Sequence, residues 1–210
     1  MKAPKKTIFF VRTSVFSLIG IMAYVHLVRM DLNALRHSIS RYAYGAEGSL
    51  LRIGMILIGT AQILLGYNLP RHYRAKRIAR AGLVVAGIGI LLAALFPVDL
   101  YSRWSTTSIL HNLGGFVQFI FLPLALLAIT QAIDDAMIKN KTHKVGRLTI
   151  FFTVVSGILF YISNAFGTSF FGLVQKIAVI LMAYWINLVS RALAEDQNNQ
   201  KHADDDPNED

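Results

Sequence analysis

Six stretches of this chain are long and apolar enough to cross a lipid bilayer, and they remove most folds from consideration. They are residues 8–28, 49–69, 81–100, 109–133, 148–166 and 170–194. A hydrocarbon core about 30 Å thick takes roughly 20 apolar residues of helix to span. Lipid offers no water to backbone N–H and C=O groups, so an apolar segment of this length satisfies them internally, as a helix. The short links leave no room for a separate soluble domain in 210 residues. The expected fold is an all-α integral membrane protein, a six-transmembrane-helix bundle over residues 1–194. The acidic, aperiodic C-terminal tail at 195–210 is expected to be disordered. The first window follows Lys2, Lys5 and Lys6 but runs for 21 residues with no small-x-small cleavage pattern, which reads as a retained helix rather than a signal peptide.

The formal charge is +9, and the positions of the basic residues decide what it means. Of 21 Lys and Arg, fifteen precede or open the first window, fill the second and fourth links, or lie at the C-terminal end from Arg191 onward. This alternation follows the positive-inside rule and predicts that both termini are cytoplasmic, in a bacterial inner (plasma) membrane. The basic balance therefore reports topology and contact with anionic membrane lipids, not nucleic acid. There is no cysteine, so disulfides, thiolate nucleophiles and cysteine metal sites are excluded.

With that topology the polar residues near the membrane sort to the outward end. His26 and Arg29 close the first window, Arg52 opens the second, and Asp99 follows the third after Pro97. His111 and Asn112 open the fourth, Asn164 closes the fifth, and Gln175 and Lys176 lie just inside the sixth. Ionisable groups at membrane depth cost about 2.5–3.5 kcal/mol each at the bilayer centre on insertion scales, and are functional candidates for that reason. Between the first two windows stands RHSISRYAYGAEGSLLR, read as an outward polar cap that folds over the bundle mouth, with Gly45 and Gly48 allowing the turn back. Arg52 is expected to pair with Glu47 or Asp99. Small residues Gly82, Ala86, Gly89 and Ala93 form one narrow helix face suited to close packing. Arg52, Gly59, Gln62 and Gly66 make an inward stripe, as do His111, Gly115 and Gln118, and Pro123 is expected to kink its helix.

Three motifs, SRYAYGAEGSLLRIGMILIG, GIGILLAALFPVD and HNLGGFVQFIFLPLALL, occur in an order and spacing that resemble the uncharacterised membrane family catalogued as domain of unknown function 998. The resemblance implies a six-helix bundle and brings no activity with it. The matched positions are Ser40, Tyr42, Gly45, Gly48, Pro97, Asp99 and His111.

Two functions fit these residues. In the first, an outward pocket binds a lipid headgroup or small anionic solute. Arg36, Arg41, Arg52 and Lys176 supply positive charge, Asp99, His111 and Asn164 orient the guest, and Ser40, Tyr42, Glu47 and Asn112 complete the set of binding candidates. In the second, His26, His37, Asp99 and His111 hold zinc, whose bound water attacks lipid at the outer leaflet. The chain lacks the His-x-x-x-His pair that would strengthen the second reading, so no catalytic residue is assigned.

Overall fold

The computed structural model describes residues 5–45, 47–69, 76–99, 101–102, 104–133, 136–166 and 170–205; the side chains of 76, 161, 163–166 and 196–205 lie outside that description. Seven helices appear among the described residues: α1 (Lys5–Val28), α2 (Ile39–Tyr42), α3 (Gly48–Tyr67), α4 (Lys76–Leu95), α5 (Thr106–Gln131), α6 (Ala136–Phe166) and α7 (Phe171–Asp205). All but α2 contain a stretch long and apolar enough to cross a membrane, and these correspond to the six windows of the sequence.

Packing follows chain order, with one closure. α1 lies against α3, α3 against α4, α4 against α5, α5 against α6 and α6 against α7, while α7 returns to α1 and also touches α5. α7 buries 61% of its apolar window and α6 only 22%, so α7 is central and α6 peripheral. Large apolar side chains such as Phe116, Leu124, Phe151 and Ile158 remain exposed, the surface a helix presents to lipid tails.

Glycine sets the distance between α4 and both of its neighbours. A Cβ on Gly89 would stand 2.7 Å from the Gly114 carbonyl oxygen and 3.0 Å from the Gln118 nitrogen of α5. On the other side, a Cβ on Gly87 would meet the Gly59 carbonyl oxygen of α3 at 2.7 Å. The predicted small-residue face is thus the α4–α5 contact, and a second glycine pair makes the α3–α4 contact. Within α5 the expected stripe is off by one position. His111 and Gln118 are buried, but Gly115 faces open space and Gly114 is the residue pressed on α4. Pro123 is buried inside α5, whose helix continues through it. Elsewhere the buried Trp185 indole donates to Thr130 Oγ1 at 3.1 Å, and its ring occupies the space that a side chain at Gly146 would fill, tying α5, α6 and α7 together.

α7 runs on past its apolar window to Asp205, and the last five residues of the expected tail lie outside the described residues. Extending a formed helix adds one hydrogen bond per residue without a new nucleus, and Ala, Glu and Gln are favourable residues for it.

Replacing Gly89 by Ala should lower thermal stability in detergent by about 1–3 kcal/mol, the usual cost of overpacking. Gly115→Ala, whose added Cβ meets nothing within 4 Å, should be neutral or slightly stabilising. Equal behaviour of the two variants in a melting experiment would refute the close-packed α4–α5 contact.

Candidate functional site

The polar residues at the α1 C-terminal end are organised by the 29–47 segment. Arg29 closes it at the base: Nε and Nη2 donate to the two Asp31 carboxylate oxygens at 2.8 and 2.9 Å, and Nη1 donates to the Tyr44 carbonyl at 2.7 Å. The guanidinium holds the Asp31 carboxyl below its ordinary range, chiefly through the hydrogen bond. Asn33 forms a turn in which its side-chain oxygen accepts from Leu35 N and Arg36 N, a local geometry typical of Asn. Asn33 N in turn donates to His37 Nδ1 at 2.8 Å. Burial, followed by nearby Arg41 and Lys176, pushes the His37 imidazole pKa down, which favours the neutral ring that this bond requires. Gly45 has φ +88, in the region glycine enters without a steric penalty. Gly48 lies so close to the Ala43 backbone that a Cβ would stand 2.6 Å from its carbonyl oxygen.

The segment is bolted to the first turns of α7. Lys176, only 7% exposed, donates Nζ to the Ala34 and His37 carbonyls at 2.8 and 2.6 Å. Its ammonium also lies 5.0 Å from the Tyr42 ring centroid, within cation–π range. Gln175 Oε1 accepts from Ile39 N at 2.9 Å, and Leu173 N donates to the Leu35 carbonyl at 3.1 Å. Gly172 permits this approach, since a Cβ there would collide with the His37 backbone. Tyr42, buried in the middle, donates its hydroxyl to the Leu32 carbonyl at 3.1 Å and stacks on His26 at 4.2 Å.

His111 joins the segment to α4 and α5. Ala93 O would normally accept from the amide of residue 97, but that residue is proline and has no N–H. His111 Nδ1 fills the vacancy, 2.8 Å from Ala93 O and 3.0 Å from Phe96 O. Carbonyl oxygens only accept, so Nδ1 carries the hydrogen and Nε2 is left as an acceptor. Nε2 lies 2.8 Å from Ser40 Oγ, and the serine hydroxyl is therefore the donor. The result is a serine hydroxyl on an imidazole whose far nitrogen is fixed by two carbonyls.

Other predicted residues separate. Arg36, Arg41, Glu47 and Asn112 are exposed. The Asp99 carboxylate accepts from Tyr101 N at 2.8 Å, the main reason its pKa is lowered, and its backbone N–H donates to Ser108 Oγ. It makes no bond to His111 among the described residues. Arg52 does not pair with Glu47 or Asp99; its Nε is buried and has no partner. The Asn164 side chain, like the link residues Arg71 and Arg74, lies outside the described residues.

The zinc set fails on geometry, because no three His, Asp or Glu side chains among the described residues lie where a metal could be held. His26 Nδ1 is committed to the Met22 carbonyl at 2.6 Å, His111 to Ser40 and α4, and Asp99 to the following turn. Sequence reading missed Asp31 and Ser108, and singled out Gln175 without its partner. Ser105, which caps α5 by accepting from Ser108 N, was available as an N-cap signal, whereas the Gln175 contact joins residues 136 positions apart and leaves no local trace.

These features define a multi-pass integral membrane protein with a polar, hydrogen-bonded end. The chain matches the family described as "Protein of unknown function (DUF998)" over residues 13–192 and belongs to it. No curated protein and no solved structure matches the chain.

If His111 replaces the amide missing at Pro97, His111→Ala should cost about 1–3 kcal/mol, the penalty for buried acceptors left unpaired. In a Pro97→Ala background, where residue 97 can donate, the same change should cost less. A double-mutant cycle in thermal unfolding measures the coupling, and equal losses in both backgrounds would disprove the assignment.

Proposed function

We propose that this protein binds an anionic group, a lipid headgroup or a small anionic solute, at the polar end formed by the 29–47 segment and the adjoining helix ends. Arg52 carries this reading. Of the cations at this end, Lys176 is occupied by backbone carbonyls and Arg29 by Asp31 and Tyr44, while Arg52 keeps a buried Nε–H without a partner. A buried donor left unpaired costs about 1–3 kcal/mol and more when charged, so an anion there would recover that energy. The guanidinium fork suits phosphate or carboxylate through two parallel hydrogen bonds. Helical side chains lean toward their own N-terminus, which directs Arg52 toward the segment. Exposed Arg36 and Arg41 add positive field at the same end. With fifteen of 21 basic residues on the side of the termini, this end faces outward across a bacterial plasma membrane.

Anionic phosphatidylglycerol should raise the melting temperature of the wild-type protein more than phosphatidylcholine of the same chains. Arg52→Gln should lose much of that difference, and Arg52→Lys, which keeps the charge but not the fork, should fall between. An unchanged response in Arg52→Gln would defeat this reading.

A second reading, hydrolysis of a lipid ester without metal, is favoured by the Ser40–His111 contact. A serine hydroxyl that donates to an anchored imidazole is the arrangement that activates serine as a nucleophile. Ser40 Oγ would bond to the ester carbonyl carbon as its proton passes to His111 Nε2. The ester C–O bond then breaks, the proton goes to the departing alcohol, and water releases the acid from the serine. A fluorophosphonate probe should label the wild-type chain and not Ser40→Ala; an unlabelled wild-type protein rules the reaction out.

A further inference from the structure

We infer a second lipid site at the opposite end of the bundle, between α1 and α7, that holds the phosphate of an anionic phospholipid. Arg12 lies 17 positions before Arg29 in the chain, about 25 Å along the helix axis at 1.5 Å per residue, so this site is separate from the one at Arg52. A cavity of about 530 Å³ opens there, lined by Lys5, Ile8, Phe9, Arg12 and Phe16 of α1 and Ala194 of α7.

Four of these residues form a single helix face. Lys5, Phe9, Arg12 and Phe16 follow one another at intervals of four, three and four, the spacing that aligns side chains along one stripe. The two aromatics look outward, Phe9 at 73% and Phe16 at 56% exposed, as residues against acyl chains do. Among the described residues neither cation has an acceptor. Arg12 Nε is buried without a hydrogen-bond partner, and among the described residues no carboxylate pairs with Lys5 or Arg12. Helical side chains lean toward the N-terminus, so Arg12 reaches from within the apolar stretch back toward Lys5 and the headgroup level.

These observations select the occupant. A soluble anion would use the cations and leave Phe9 and Phe16 without a role. A zwitterionic lipid would bring its own ammonium close to Lys5. An anionic phospholipid places phosphate oxygens on Arg12 and Lys5 and lays a chain along the Phe9–Phe16 stripe. With the termini on the lysine-rich side of the membrane, this lipid belongs to the leaflet whose anionic headgroups attract basic segments.

The full-length protein in nanodiscs of phosphatidylcholine, with and without phosphatidylglycerol of the same chains, provides the test, read by melting temperature and by lipid retained in native mass spectrometry. The wild-type protein should gain stability from phosphatidylglycerol and retain it. Arg12→Gln should lose a large part of both effects, and Lys5→Gln and Phe16→Ala a smaller part, while all three melt like the wild type in phosphatidylcholine. Inorganic phosphate should reproduce little of the gain. Full retention by Arg12→Gln overturns the site. Loss confined to Arg52→Gln overturns it too, while leaving the binding reading at the other end intact. Inorganic phosphate as effective as phosphatidylglycerol, with Phe16→Ala unchanged, overturns the lipid assignment.

Discussion

Wherever a helix end or a turn is buried in or beside a bilayer, its free carbonyls need donors that water does not supply. Two side chains meet that demand here. His111 donates to Ala93 and Phe96 at the end of α4, where Pro97 has removed an amide. Lys176 donates to Ala34 and His37 in the turn before α2. Each comes from a different element than the carbonyls it serves, so satisfying the backbone also fixes how α4, α5, α7 and the segment before α3 sit together. The Ser40–His111 contact exists because His111 is already held by its other nitrogen.

That accounting separates cations with structural work from cations without it. A charged side chain near mid-membrane costs about 2.5–3.5 kcal/mol on insertion scales, and a hydrogen bond to a charged group returns about 1.5–3 kcal/mol. Lys176, with two short bonds, can be offset within the protein. Arg12 and Arg52 each keep a buried Nε–H without a partner, one at each end of the bundle.

Close approach of backbones underlies both the His111 and the Lys176 contacts. The Gly89–Gly114 contact brings the α5 backbone against α4, near enough for His111 to reach carbonyls across the interface. Gly172 does the same for the segment, letting the His37 backbone rest on α7 beneath Lys176. Larger residues at these points would move the donor away from its acceptor, so packing and polar satisfaction are coupled.

The six apolar windows, the break at Pro97 and the small-residue face of α4 were legible because each is a local pattern read by hydropathy, by a missing amide or by spacing. The residues of the site were recognisable as a polar set, since charges in an apolar chain stand out. Their partners were not, because Lys176 with Ala34, Gln175 with Ile39 and Ser40 with His111 join residues 142, 136 and 71 positions apart. Charge complementarity suggested Arg52 with Glu47 or Asp99, yet tertiary structure gave Arg29 to Asp31, Asp99 to its own turn and left Arg52 open. By itself the sequence determined that the chain must be helical in lipid, since hydrophobicity and backbone hydrogen bonding allow little else. Only the fold decided which polar groups are spent on one another and which remain free, because that depends on distances across helices that no local pattern records.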